Sequence, residues 1–104
     1  MTAYWIAHVT VTDPDAYRGY QERAAAAFRQ FGAIFLARGG ESDVLEGPDL
    51  QRHVIIAFPS LAAARACYDS DAYREARHHR FGAAIAHVVI VEGAGGHLHA
   101  AHAR

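Results

Sequence analysis

Histidine and arginine dominate the residues of this chain that could do chemistry. All 10 residues of the Lys+Arg count are arginines. A chain without lysine has no Schiff-base or lysine general-base chemistry, whereas guanidinium groups suit carboxylate or phosphate recognition. Arg38 stands just before Gly39-Gly40, where backbone can come close, and an arginine at a strand end can grip a carboxylate through two parallel hydrogen bonds. It could equally pair with Glu41, Asp43 or Glu46. Tyr73 and Arg77 are four apart, which puts them on one face of a helix, with Tyr68 shortly before them. Arg38, Tyr68, Tyr73 and Arg77 are therefore the candidate ligand-binding residues. The tyrosines offer stacking faces and the arginines a charge partner for a small anionic aromatic molecule. Core packing is the competing reading for the tyrosines.

The eight histidines are less easily grouped. His8, His53 and His87 share strand-face parity, which invites a metal site. Taking the first and third strands to run parallel and the last to run opposite, His8 sits mid-strand while His53 and His87 fall near opposite ends. At about 3.3 Å per residue they could not then share one ion, so no metal site is expected. His78 and His79 are neighbours on a helix and diverge. His97, His99 and His102 belong to a C-terminal tail, where imidazoles could bind stray transition metal without a built site. Cys67 is the single cysteine, so a chain-internal disulfide and a cysteine-rich zinc site are both impossible. It lies late in a short helix, away from the helix N-terminus or cation that would activate a thiol, and is read as buried and inert.

These residues must be held by elements that the pattern defines. The central stretch is Arg52 to Tyr73. Val54 to Phe58 is a continuous apolar, β-branched run that suits a strand covered on both faces, Pro59 ends it, and Ser60 caps a helix carrying Leu61, Ala64 and Tyr68. Asp69-Ser70-Asp71 interrupts that helix, and Ser70 is placed to cap a second. Upstream, residues 4–12 alternate with period two, as in a strand. Asp13-Pro14 then starts a helix whose buried stripe is Tyr17, Tyr20, Ala24, Ala27, Phe28 and Phe31, stopped at Gly32. Ala33 to Arg38 is a second strand, broken at Gly39-Gly40 and resumed at Val44-Leu45 before the Gly47-Pro48-Asp49 turn. Phe81-Gly82 ends the last helix, and 87–92 is the final strand. The order strand, helix, strand, strand, helix, strand is the α+β, ferredoxin-like βαββαβ pattern, a four-stranded antiparallel sheet with helices on one face.

Length allows one domain, read as residues 1–93. Residues 94–104 are glycine- and histidine-rich without an apolar stripe, and read as a flexible tail that folding does not need. A net charge of -1 with scattered acids and bases gives no footprint for nucleic acid. No apolar run approaches the ~20 residues that span a bilayer, and no positively charged flank precedes the first apolar residues, so a cytoplasmic protein without membrane attachment is expected.

Several stretches together resemble one family. They are Tyr4-Trp5-Ile6-Ala7-His8-Val9, Asp13-Pro14 with Tyr17 and Tyr20, Phe35 to Gly40, Val44 to Gly47, Phe58 to Leu61, Tyr68 to Ser70 with Tyr73, and Val89 to Gly93. In order and spacing they are similar to the domain-of-unknown-function 1330 family. The resemblance implies a dimeric α+β barrel, two ferredoxin-like subunits packed sheet to sheet, within a superfamily of cofactor-free monooxygenases, isomerases and haem proteins. It implies no activity of the family's own. The chain departs from the pattern at Cys67, where a bulky aromatic is expected, at Ala62, where an acid is common, and in its tail; Cys67 could enlarge a pocket or simply be repacked.

Two function classes follow. One is a protein that binds a small anionic or aromatic organic molecule in a helix–sheet cleft. The other is a cofactor-free enzyme, monooxygenase- or isomerase-like, acting on an aromatic or polyketide-like substrate with a histidine or tyrosine moving the proton. No bound cofactor is expected in either. The strands also predict assembly. Trp5, Val9, Val54, Ile56, Phe58, Val88 and Ile90 share one face, while Tyr4, Ile6, Ile55, Ala57, Val89 and Val91 share the other. Helices can cover only one of these, so a homodimer through the second sheet face is expected.

Overall fold

A computed structural model describes residues 1–95, and the candidate tail lies outside them beyond that point. The chain runs β1 (Ala3–Val11), α1 (Pro14–Gln30), β2 (Ile34–Arg38), β3 (Arg52–Phe58), α2 (Leu61–Asp69), α3 (Asp71–His78) and β4 (Ala84–Glu92). It is a ferredoxin-like βαββαβ fold, with the second helix split in two.

Capping residues set the helix boundaries. Asp13 accepts a hydrogen bond from the Ala16 N–H at 3.2 Å, Ser60 from Ala63 at 3.0 Å and Ser70 from Tyr73 at 3.1 Å. Each satisfies a donor that the first helical turn leaves unpaired. Ser70 acts twice, since its hydroxyl also donates to the Cys67 carbonyl at 2.7 Å and so closes α2 while opening α3.

The sheet order is β2-β3-β1-β4, and every neighbouring pair is antiparallel. The parallel arrangement of β1 and β3 that separated the histidines is therefore wrong. The α1 crossover returns β2 in the direction of β1, the following reversal turns β3 round, and β3 inserts between the two. Two further boundaries differ from expectation. Val44-Leu45 does not resume β2, because residues 39–51 carry no strand and Leu45 stands 89% exposed. β4 begins three residues earlier than expected, at Ala84. An irregularity in β2 lies between Phe35 and Ala37, not at the glycine pair.

The core fills the space between the helices and one sheet face. Trp5, Ile56, Phe58 and Tyr73 are fully buried there, with Tyr17, Tyr20, Ala24, Ala27 and Phe28 from α1 and Ala64, Cys67 and Ala76 from α2 and α3. Trp5 is at its centre, meeting Phe28 and Tyr73 edge to face at 5.0 Å and stacking on Phe58 at 5.8 Å. Rings of this size supply most of the buried apolar area.

Candidate functional site

Strand alternation sends Arg52, Val54, Ile56 and Phe58 toward the helices and His53, Ile55 and Ala57 away from them. Each side of the sheet carries a concavity. The first lies between α1 and the β2–β3 half of the sheet. It has a volume of about 40 Å³, with an aromatic floor from Trp5, Tyr17, Tyr20 and Phe28 and a polar wall from Arg38, Arg52 and Arg80.

The polar wall is built by short local rules. Gly39 has φ of +70°, which glycine adopts without strain, and its N–H donates to the His53 carbonyl at 2.9 Å. A Cβ there would collide with the Arg52 guanidinium. Gly39 thus lets Arg52 lie across the end of β2. The Arg52 Nε is buried and has no hydrogen-bond partner among the described residues. Arg38 places its guanidinium 4.0 Å above the Phe35 ring. Arg80 donates to the Tyr73 hydroxyl at 3.1 Å and to the Tyr20 hydroxyl at 3.4 Å, and those two oxygens lie 2.8 Å apart. None of the three arginines is in an ion pair among the described residues.

The phenols stay protonated at neutral pH. Burial, reinforced by Tyr73, holds the Tyr20 hydroxyl well above its ordinary pKa; burial also raises that of Tyr73, against the opposing pull of Arg80. Burial works against the charge of Arg80, but Tyr73 and Tyr20 more than offset it and its pKa is raised. Two hydroxyls bonded to each other use one proton between them, and Arg80 supplies only donors. One O–H is left to donate elsewhere. Either hydroxyl can donate to the other; Tyr20 lines the cleft and Tyr73 does not, so the remaining proton faces the cleft when Tyr73 is the donor.

On the other side of the sheet, His8 is the register partner of His53 in β3 and of His87 in β4. Three imidazoles therefore form one row across three adjacent strands, and the His8 and His53 Nδ1 atoms are 2.8 Å apart. The row floors a cavity of about 500 Å³ walled by Asp43, Val44, Leu45, Glu46, Pro48 and Leu50.

The four candidate residues do not form one site. Tyr68, Tyr73 and Arg77 are together, with the Arg77 guanidinium 4.5 Å over the Tyr68 ring and the Tyr68 and Tyr73 rings 5.5 Å apart. Tyr73 is wholly inside the core, and none of the three lines either cavity. Arg38 lines the cleft with Arg52 and Arg80, and Arg80 is the link between that cleft and Tyr73. Sequence reasoning missed Arg52 and Arg80, and took Tyr20 for core alone. Arg80 stands in the turn beyond His78, where α3 has ended, so no helical spacing ties it to Tyr73. Cys67 is fully buried and lines neither cavity, and desolvation pushes its thiol up to about 12.

The comparisons with known proteins fit this architecture. The family model described as Domain of unknown function (DUF1330) matches residues 2–94. The chain belongs to that family. No curated protein is similar to it at a significant level. Among solved structures, a protein of unknown function from Rhodopseudomonas palustris has 23% identity and a TM-score of 0.69, covering 91% of this chain and 84% of its own. The cofactor-independent oxygenase SnoaB from Streptomyces nogalater has 14% identity and a TM-score of 0.61, covering 93% and 96%. A dimeric ferredoxin-like protein of unknown function from Jannaschia sp. CCS1 has 15% identity and a TM-score of 0.63, covering 89% and 100%. At these identities the DUF1330 chain and its neighbours share a fold, and a fold alone does not carry an activity. No helix among the described residues is long and apolar enough to cross a membrane.

Proposed function

We propose that this DUF1330 protein binds a small organic anion in the cleft between α1 and the sheet, and does so as a homodimer joined through the opposite sheet face. One observation carries the binding reading: among the described residues, three arginines line the cleft without a carboxylate partner, and the Arg52 Nε is buried without an acceptor. Buried donors are nearly always paired, so an unpaired guanidinium nitrogen in a cleft supports an exogenous acceptor. The protonated Tyr20 hydroxyl supplies a neutral donor to the same place. About 40 Å³ holds on the order of three water-sized groups, room for a carboxylate and a short stem. An aromatic ring requires α1 and β2 to part.

The dimer reading rests on the apolar face. Val89 and Val91 are 54% and 47% exposed, and Ile85 shares their side of β4. Leu45 projects from the loop walling the same face. Exposed apolar surface of this continuity favours a partner, and a twofold pairing of identical faces closes it. Solved neighbours described as dimeric support the same assembly.

Isothermal titration with acetate, pyruvate and benzoate tests the binding reading. The expected result is saturable binding of at least one carboxylate that Arg52→Gln weakens at least tenfold, with the circular dichroism of the variant unchanged. Equal affinity in the variant, or no binding by any of the three, overturns it.

A further inference from the structure

We infer that the row His8, His53 and His87 is a binding site for a divalent transition metal ion, separate from the arginine cleft and on the opposite side of the sheet. The first ground is placement. His8 faces His53 and His87 directly across the β1–β3 and β1–β4 ladders. Directly opposed residues on one face have Cβ atoms about 5 Å apart, within reach of a shared ion for side chains as long as histidine.

The second ground is the contact itself. Two Nδ1 atoms 2.8 Å apart cannot both carry lone pairs toward each other; one proton must lie between them. That proton marks the point on which both nitrogens converge. A metal bound by two imidazoles at about 2.0–2.1 Å, with a tetrahedral angle, holds their nitrogens about 3.3 Å apart. The rings need to open by only about half an ångström for an ion to replace the proton. As the metal enters, the ring that held that proton on Nδ1 carries it on Nε2 instead, which leaves both Nδ1 lone pairs to the ion.

The third ground is the rest of the donor set. The cavity above the row is walled by Asp43 and Glu46, and neither carboxylate is in an ion pair among the described residues. As placed, no three histidine, cysteine or carboxylate groups among the described residues converge on one point. The site is therefore two imidazoles in contact, with His87 joining by rotation about its own χ angles. His87 is exposed on β4 in the single chain, on the same side as Val89 and Val91. Imidazole with carboxylate or water completing the shell suits zinc and cobalt rather than magnesium or calcium, which take oxygen ligands.

The test is titration of the full-length chain with Co2+ and Zn2+, in a background of His97→Ala, His99→Ala and His102→Ala so that tail imidazoles do not contribute. Expected are one ion per chain, a cobalt d–d absorption band that zinc abolishes, and at least tenfold weaker binding in His8→Ala and in His53→Gln. His87→Ala should weaken binding and alter the band shape, while His78→Ala should do neither. If His8→Ala lowers the melting temperature of the metal-free chain, His53→Gln carries the decision alone. Absence of a d–d band, or binding unchanged in His53→Gln, overturns the site.

Discussion

The two faces of the sheet are made from the same alphabet of residues and end in opposite states. Toward the helices, Trp5, Val54, Ile56 and Phe58 are buried under α1, α2 and α3. On the reverse, Ile55 and Ala57 are only half-covered, Val89 and Val91 are exposed, and a histidine row crosses the middle. Among the described residues no charged side chain is wholly buried, and the polar atoms on the inner side include a cluster at one margin, where Arg80, Tyr20 and Tyr73 bond to one another. Apolarity is thus shared by both faces. What separates them is whether this chain supplies the cover: the inner face lies under its own helices and the outer one does not.

Substitutions sharpen that contrast. The largest effect is expected from Trp5→Ala, which removes the ring at the centre of the inner face and should lower unfolding free energy by about 3–5 kcal/mol in urea titrations. A loss below about 1 kcal/mol would break the division. Val89→Glu, on the outer face, should halve the mass measured by light scattering coupled to size exclusion while leaving the far-ultraviolet circular dichroism intact. A wild-type monomer, or an unchanged dimer in the variant, removes the association reading.

Smaller effects test the polar margin. Gly39→Ala should destabilise by about 1–2 kcal/mol, because the residue sits at positive φ and its Cβ meets the Arg52 guanidinium. Alkaline pH probes the buried acids. Tyr20, Tyr73 and Cys67 all have native pKa values raised by burial, so the native state holds protons that the unfolded state releases. Stability from these groups is complete below their unfolded pKa values of about 9 for the thiol and about 10 for the phenols, and falls as pH rises above them. Tyr20→Phe should flatten that decline in melting temperature above pH 10, and an unaltered slope would argue against the burial of its hydroxyl.

The fold was largely legible because its determinants are local. Asp13, Ser60 and Ser70 cap the helices they were expected to cap, and period-two alternation sorted both strand faces. Val44-Leu45 misled because two apolar residues beside a turn look like a strand, whereas nothing pairs with them. The sites were less legible. Strand direction is a property of the whole path, and taking β1 and β3 as parallel dispersed a histidine row that the antiparallel ladders assemble. Arg38, Arg52 and Arg80 come from two strands and a turn after α3, and only tertiary structure joins them. Tyr73 and Arg77 lie four apart on α3 with Tyr68 beside them on α2, yet spacing does not say whether a shared face looks into a cleft or into the core.

The seclusion of Cys67 gives the molecule an internal clock. With no exposed surface and a thiol poised near 12, the native chain should be silent toward Ellman's reagent, and each labelling event must wait for α2 to lift from the sheet. Where reclosing outpaces reaction, the labelling rate divided by that of a free thiol is the equilibrium constant for opening. One natural sulfur therefore times the breathing of the helical layer without an added probe, and any ligand that holds the closed form should slow it in proportion to its occupancy.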